Sequence, residues 1–139
     1  VDLPAAPPRI KSPAQALKDR SEWSDPEFRE GYLAASIEEG VAWQIRANRE
    51  RRELTQAALG ERIGTTQTGI ARLENPEYGK HSLQTLLDLA HAFDCALSVR
   101  FVPFSQLALD SEDLGPEALY VIPYEEETRI HGGHDAEHD

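Results

Sequence analysis

Apolar residues recur at every third or fourth position through the middle of the chain and at every second position just after it. Leu59 and Ile63 stand four apart, and Ile70 and Leu73 three apart, with polar residues around them, so two short amphipathic helices are predicted between Thr55 and Asn75. Gly64 separates them where a helix end favours a positive φ, Thr55 caps the first, and Thr65 or Thr66 caps the second. Gly60 lets the two cross closely. Upstream, Ser24, Asp25, Pro26 and Glu27 make a helix start, and Phe28, Tyr32, Ile37, Val41 and Ile45 recur on one face. That stretch is long for one helix, so two pieces are expected, 26–39 and 41–52, with a break near Gly40. A further helix over 82–93 turns Leu83, Leu86, Leu87, Ala90 and Phe93 to the core. From residue 96 the period becomes two: Leu97, Val99 and Phe101 alternate with Ser98, Arg100 and Val102, which predicts a strand. A lone strand needs a ladder, and pairing with the same strand of a second copy supplies one.

The flanks differ from this centre. Residues 1–24 open with VDLPAAPPRIKSPAQ and read as a flexible arm with a short helix over 14–20, and Leu17 with Trp23 beyond that helix are candidates to dock onto a neighbour. Residues 105–139 read as an acidic, largely flexible tail, with a second candidate strand over 118–124 and disorder beyond Glu125. The expected organisation is therefore an arm (1–24), a helical domain (25–95), a dimerisation strand (96–104) and a tail (105–139). Its fold class is mainly α: about five helices in a bundle, followed by a C-terminal β-strand that pairs in a dimer.

The formal net charge of −11 is unevenly spread. Residues 1–40 carry −3, residues 41–103 carry +1 with seven of their eight basic groups being arginines, and residues 104–139 carry −9. The centre thus keeps the cations that phosphate contacts require. Cys95 is the only cysteine, which excludes an internal disulfide and fits a small core residue. No long apolar run suggests a membrane span or secretion signal, and a cytoplasmic protein is expected.

The residues Thr55-Gln56, Leu59-Gly60, Ile63-Gly64, Thr66-Gln67, Ile70 and Arg72-Leu73-Glu74-Asn75 resemble the helix-turn-helix of the Cro/C1-type (XRE) repressors. The resemblance covers roughly residues 41–93 and implies a lambda-repressor-like bundle that binds double-stranded DNA. Position by position, it implies base contacts from Thr66, Gln67, Thr68 and Arg72, and phosphate contacts from Gln56, with Asn75, Lys80 and His81 following the recognition helix. Glutamine can pair with adenine, arginine with guanine, and a threonine methyl can touch that of thymine. Thr66 can equally be a cap, and Arg72 and Lys80 ordinary solvated charges. Arg49 and Glu74 match the family pair that makes an internal salt bridge, while Arg46, Arg51 and Arg52 are either phosphate contacts or cations suited to a helix end.

The segment SDPEFREGY is similar to the lead-in of HigA-type antitoxins, and a bundle followed by a dimerising strand is similar to HipB-like ones. This implies a homodimeric repressor on a palindromic operator, the autorepressor of a toxin-antitoxin operon, with a basic RelE-like toxin as partner. The alternative is a stand-alone or phage-type regulator without a toxin. An enzyme is not expected: a self-cleaving repressor would need a lysine after the DNA-binding domain, and Lys11, Lys18 and Lys80 all lie before its end. No cofactor is implied. His131, His134 and His138 are too loosely spaced, with acids between them, to predict a metal site.

Overall fold

Asp25 sets the start of the longest helix, α2 (Pro26–Arg51), by accepting the amide hydrogen of Glu27 at 3.0 Å while Pro26 occupies the first turn. The computed structural model describes residues 12–18 and 20–136, and in it α2 runs unbroken for 26 residues, about 39 Å at 1.5 Å per residue. The break expected near Gly40 is absent. A glycine in a helix costs about 1 kcal/mol relative to alanine, which weakens a helix without ending it. Here Gly40 and Ala42 are buried, so packing on that side offsets the loss.

The C-terminal half of α2 packs on α3 (Gln56–Ile63), α4 (Gln67–Leu73) and α5 (Leu83–Phe93). Ile45, Leu59, Ile70, Leu73, Leu89 and Phe93 form this core, with Val41, Ile63, Tyr78 and Leu86 at its edge. Thr55, Thr66 and Ser82 each accept an amide hydrogen of the first turn of the helix that follows. Gly64 ends α3 at φ 79°, in the left-handed region that glycine reaches without steric cost. The inward face of α5 is Leu86, Leu89, Ala90 and Phe93; Leu83 and Leu87, which the spacing also assigns to the core, are 61% and 53% exposed.

A second cluster sits on the other half of α2. Trp23, in a short 3-10 turn (Ser21–Ser24), is buried with Ala16 of α1 (Pro13–Lys18) and Ala108 of α6 (Phe104–Asp110). Its indole meets Phe28 and Tyr32 edge-on at centroid distances of 5.2 and 4.6 Å. The Tyr32 and Ser111 hydroxyls hydrogen-bond, tying the end of α6 to α2. Segments read as arm and tail thus meet, because each supplies a few apolar residues and α2 supplies the surface. Residues 1–11 of the arm lie outside the described residues.

The fold class needs one correction. No strand forms among the described residues, so what is seen is all-α, and neither 96–104 nor 118–124 is β. Leu97, Val99 and Phe101 do alternate, but period two sets only which way side chains point. A strand exists by its ladder, and no backbone amide from 96 to 102 finds a backbone acceptor among the described residues. Residues 118–124 instead end the short helix α7 (Pro116–Leu119) and begin α8 (Tyr124–Ala136), which occupies the region read as disordered.

Candidate nucleic-acid interface

The start of α4 is held against α3 at backbone contact. A Cβ added at Gly60 would lie 2.9 Å from the carbonyl oxygens of Thr65 and Thr66, so only glycine permits this approach. Thr66 accepts the amide hydrogen of Gly69 at 3.0 Å, so its hydroxyl is the cap of α4. Gln67 and Thr68 follow it in the first turn with exposed side chains, and Arg72 is exposed one turn on.

Gln67 is not a loose surface side chain. Its amide donates to Oε1 of Gln56 at 2.6 Å, and Nε2 of Gln56 donates to Oε1 of Glu74 at 3.2 Å. Glu74 is buried and takes a two-point contact from Arg49, whose Nε and Nη2 donate at 2.6 and 3.0 Å. Arg49 Nη1 then donates to the Leu54 carbonyl at 2.8 Å. The hydrogen bond to Glu74 raises the Arg49 guanidinium above its usual range, against the opposing effect of burial. A continuous chain of polar side chains therefore runs from Gln67 on the surface to Arg49 inside.

The remaining candidates divide by what they already bind. The Asn75 Oδ1 accepts the Glu77 amide hydrogen at 3.0 Å and shapes the turn after α4, and the residue is exposed. His81 is half-buried, its Nε2 at 2.8 Å from the Leu73 carbonyl and its ring edge-on to Tyr78, so it braces that loop. Lys80 is exposed. Arg46 is bound to Glu50 at 2.5 Å, and that hydrogen bond holds the Glu50 carboxyl below the usual carboxylate range. Arg52 donates to the Phe93 and Val121 carbonyls at 2.6 and 2.8 Å and stacks on Phe93 and Tyr120, which occupies it fully in structure. Leu97, Val99 and Phe101 are all exposed, Phe101 completely. His138 lies outside the described residues.

Two features escaped sequence reasoning. Nothing in the spacing pairs Gln56 with Gln67, yet eleven residues apart across the two helices they meet. Asn48, buried at 5% exposure, gave no signal beyond being a polar residue in a helical run.

The Helix-turn-helix family model matches residues 45–99, about two fifths of the chain. The match begins in α2 and ends beyond α5, enclosing the first core and the whole polar chain from Arg49 to Gln67. No curated protein and no solved structure matches the chain. No helix among the described residues is long and apolar enough to cross a membrane.

Proposed function

We propose that this chain, a DNA-binding regulator of the Cro/C1-type helix-turn-helix class by its match over residues 45–99, is a repressor that reads its operator through α4 in the major groove. The observation that carries this reading is the bracing of Gln67. A base-reading amide gains specificity when its orientation is set before DNA arrives, and the bond from Gln67 to Gln56 sets it. Gln67 presents its carbonyl and remaining amide hydrogen to adenine, Arg72 pairs with guanine, and Thr66 and Thr68 line the same face. Gln56, Asn75 and Lys80 hold the flanking phosphates, with the front of α3 aimed at one of them.

The regulator acts as a homodimer on a two-fold symmetric operator, its two α4 helices about 34 Å apart. Exposed Leu83, Leu87, Val99 and Phe101 support this, since each leaves a large apolar side chain in water that a second copy would cover. The charge of −9 over residues 104–139 supports a basic toxin as further partner, which makes the protein the antitoxin and autorepressor of its operon. Isolation of a stable complex with a small basic protein encoded beside it tests that part.

The test of the main reading is a salt titration of binding to DNA from upstream of the gene, by wild type and a Gln67→Ala, Arg72→Ala double variant. The expected result is salt-sensitive binding from which the variant loses operator preference by roughly 1–3 kcal/mol per lost contact. Equal binding by both proteins would refute the role given to α4.

A further inference from the structure

The most heavily engaged polar side chains outside the α4 surface belong to Asn48 and Arg52, near the C-terminal end of α2. Buried Asn48 donates from Nδ2 to the Gln44 carbonyl at 2.8 Å and to the Leu119 carbonyl at 3.0 Å. Its Oδ1 accepts the Val121 amide hydrogen at 2.8 Å and Arg52 Nη1 at 3.1 Å. One side-chain amide thus takes both the carbonyl of Leu119 and the amide of Val121, as a neighbouring strand would. Tyr120, between them, lies against the guanidinium groups of Arg51 and Arg52 at 4.8 and 5.4 Å. Just beyond, the Tyr124 and Glu125 amides donate to the Asp94 carbonyl and carboxylate at 2.7 and 3.1 Å. Residues 119–121 form a strap fastened across the DNA-binding core.

The strap is fastened to the turn of α2 that contains Arg49. The last carbonyls of a helix lack partners within it, and here Arg52 serves them: Nη1 donates to the Asn48 carbonyl at 3.2 Å and the backbone amide to that of Arg49 at 3.2 Å. No glycine stabilises this helix end. Glu53 adopts φ 57° beyond it, a conformation unfavourable for a residue with a Cβ. The Glu53 and Leu54 amides also close this turn, donating to the Glu50 and Arg49 carbonyls at 2.9 and 3.2 Å. Arg52 is one support among these, held by the Val121 carbonyl and the Tyr120 ring together with the Phe93 carbonyl and ring. Arg49 is the far end of the polar chain through Glu74 and Gln56 to Gln67.

We propose that the strap, seated on Asn48 and Arg52, is a positioning element for DNA readout, so that its release loosens Arg49 and lowers base discrimination while leaving phosphate affinity intact. The proposal rests on the reading of Gln67 as a base contact. Its mechanical half concerns the free protein alone, and the two halves fail separately.

The variant is Val121→Pro in the full chain, which removes the amide hydrogen given to Asn48. Tyr120, at φ −68° and ψ 136°, already has the backbone that a following proline requires. Asn48→Asp is the second variant: it keeps the acceptor but sets an oxygen against the Leu119 carbonyl. In the free protein, NMR measures hydrogen exchange of Arg49 Nε–H and of the Tyr124 amide. With DNA, the ratio of affinities for the operator and for an operator altered at the base pair read by Gln67 is measured over salt. Both variants are expected to speed Arg49 Nε–H exchange about tenfold, the loss of one or two hydrogen bonds, and to lower the affinity ratio by a similar factor with an unchanged salt slope. Fast Tyr124 exchange with Arg49 exchange and affinity ratio as in wild type would overturn the proposal, showing a strap that only fastens. If Val121→Pro does not fold, Asn48→Asp decides by the same readouts. A wild type without operator preference would overturn the readout half, while Arg49 exchange still decides the coupling.

Discussion

At the scale of single residues, the start of α4 depends on one missing atom and one buried ion pair. A methyl at Gly60 meets two backbone oxygens at 2.9 Å, and backbone cannot step aside as a side chain can. Gly60→Ala is therefore expected to lower unfolding stability by about 1–3 kcal/mol in a denaturant titration. The Arg49 and Glu74 side chains are 12% and 5% exposed, so removing one charge strands the other. Glu74→Gln is expected to cost about 3 kcal/mol and to release Gln56 as well, a loss visible by NMR at the Gln67 amide. Cys95 illustrates the opposite environment: burial raises its thiol pKa by disfavouring the thiolate. The folded protein then holds that proton to higher pH than the unfolded chain does. Its contribution to stability is complete below the unfolded thiol range, near pH 8.5, and is lost as pH climbs through the raised value. Alkylation of Cys95 at pH 8 is expected to run several-fold slower than that of a free thiol, and to accelerate on unfolding.

At the scale of elements, the helix starts around Asp25, at Thr55 and at Thr65 or Thr66 were legible because caps are local, while the Ser82 cap came from the structure. Asp25, Thr55, Thr66 and Ser82 each bond within their own first turn, with no help from the rest of the fold. Two expectations failed where the answer lies outside the segment. Gly40 reads as a break until both halves of α2 are known to be held by packing, and residues 96–104 read as a strand although a strand is a property of two segments. The unbroken α2 has a measurable consequence. A Cβ at Gly31 or Gly40 meets nothing within 4 Å, so Gly31→Ala and Gly40→Ala are each expected to stabilise by about 0.5–1 kcal/mol in thermal or urea unfolding. A helix that bent at Gly40 would lose stability with the second substitution.

At the scale of the whole molecule, α2 belongs to two cores at once. Ile45 packs with Leu59, Ile70 and Phe93, while Phe28 and Tyr32 pack with Trp23 and Phe104. The second cluster is small and draws on segments from both ends of the chain, so it is the less stable unit. Trp23→Ala is expected to abolish hydrogen-exchange protection in α1 and α6 and to leave that of α4 nearly unchanged. Loss of protection throughout would mean that the two cores unfold as one.

Much of the candidate site could be read from residue order alone. Two amphipathic helices around Gly64 and their capping threonines follow from spacing, since a helix converts sequence separation directly into direction, whereas Gln67 and Arg72 as readout candidates follow from the resemblance to the Cro/C1-type motif. The concentration of arginines at the centre and of acid at the end is likewise a matter of counting. Long-range pairing is different. That Gln67 rests on Gln56, that Asn48 holds the backbone of residues 119–121, and that the acidic segment folds back as α6, α7 and α8 depend on hydrogen bonds up to 79 residues apart. Residue pattern states which face of an element is apolar, but which partner covers that face is chosen only when every element competes for the same surfaces. The sequence by itself determined the helical character of residues 26–93; the tertiary structure decided the continuity of α2, the helices of the acidic segment and which polar groups are buried together, because burial is what makes an unpaired amide or guanidinium costly enough to select its partner.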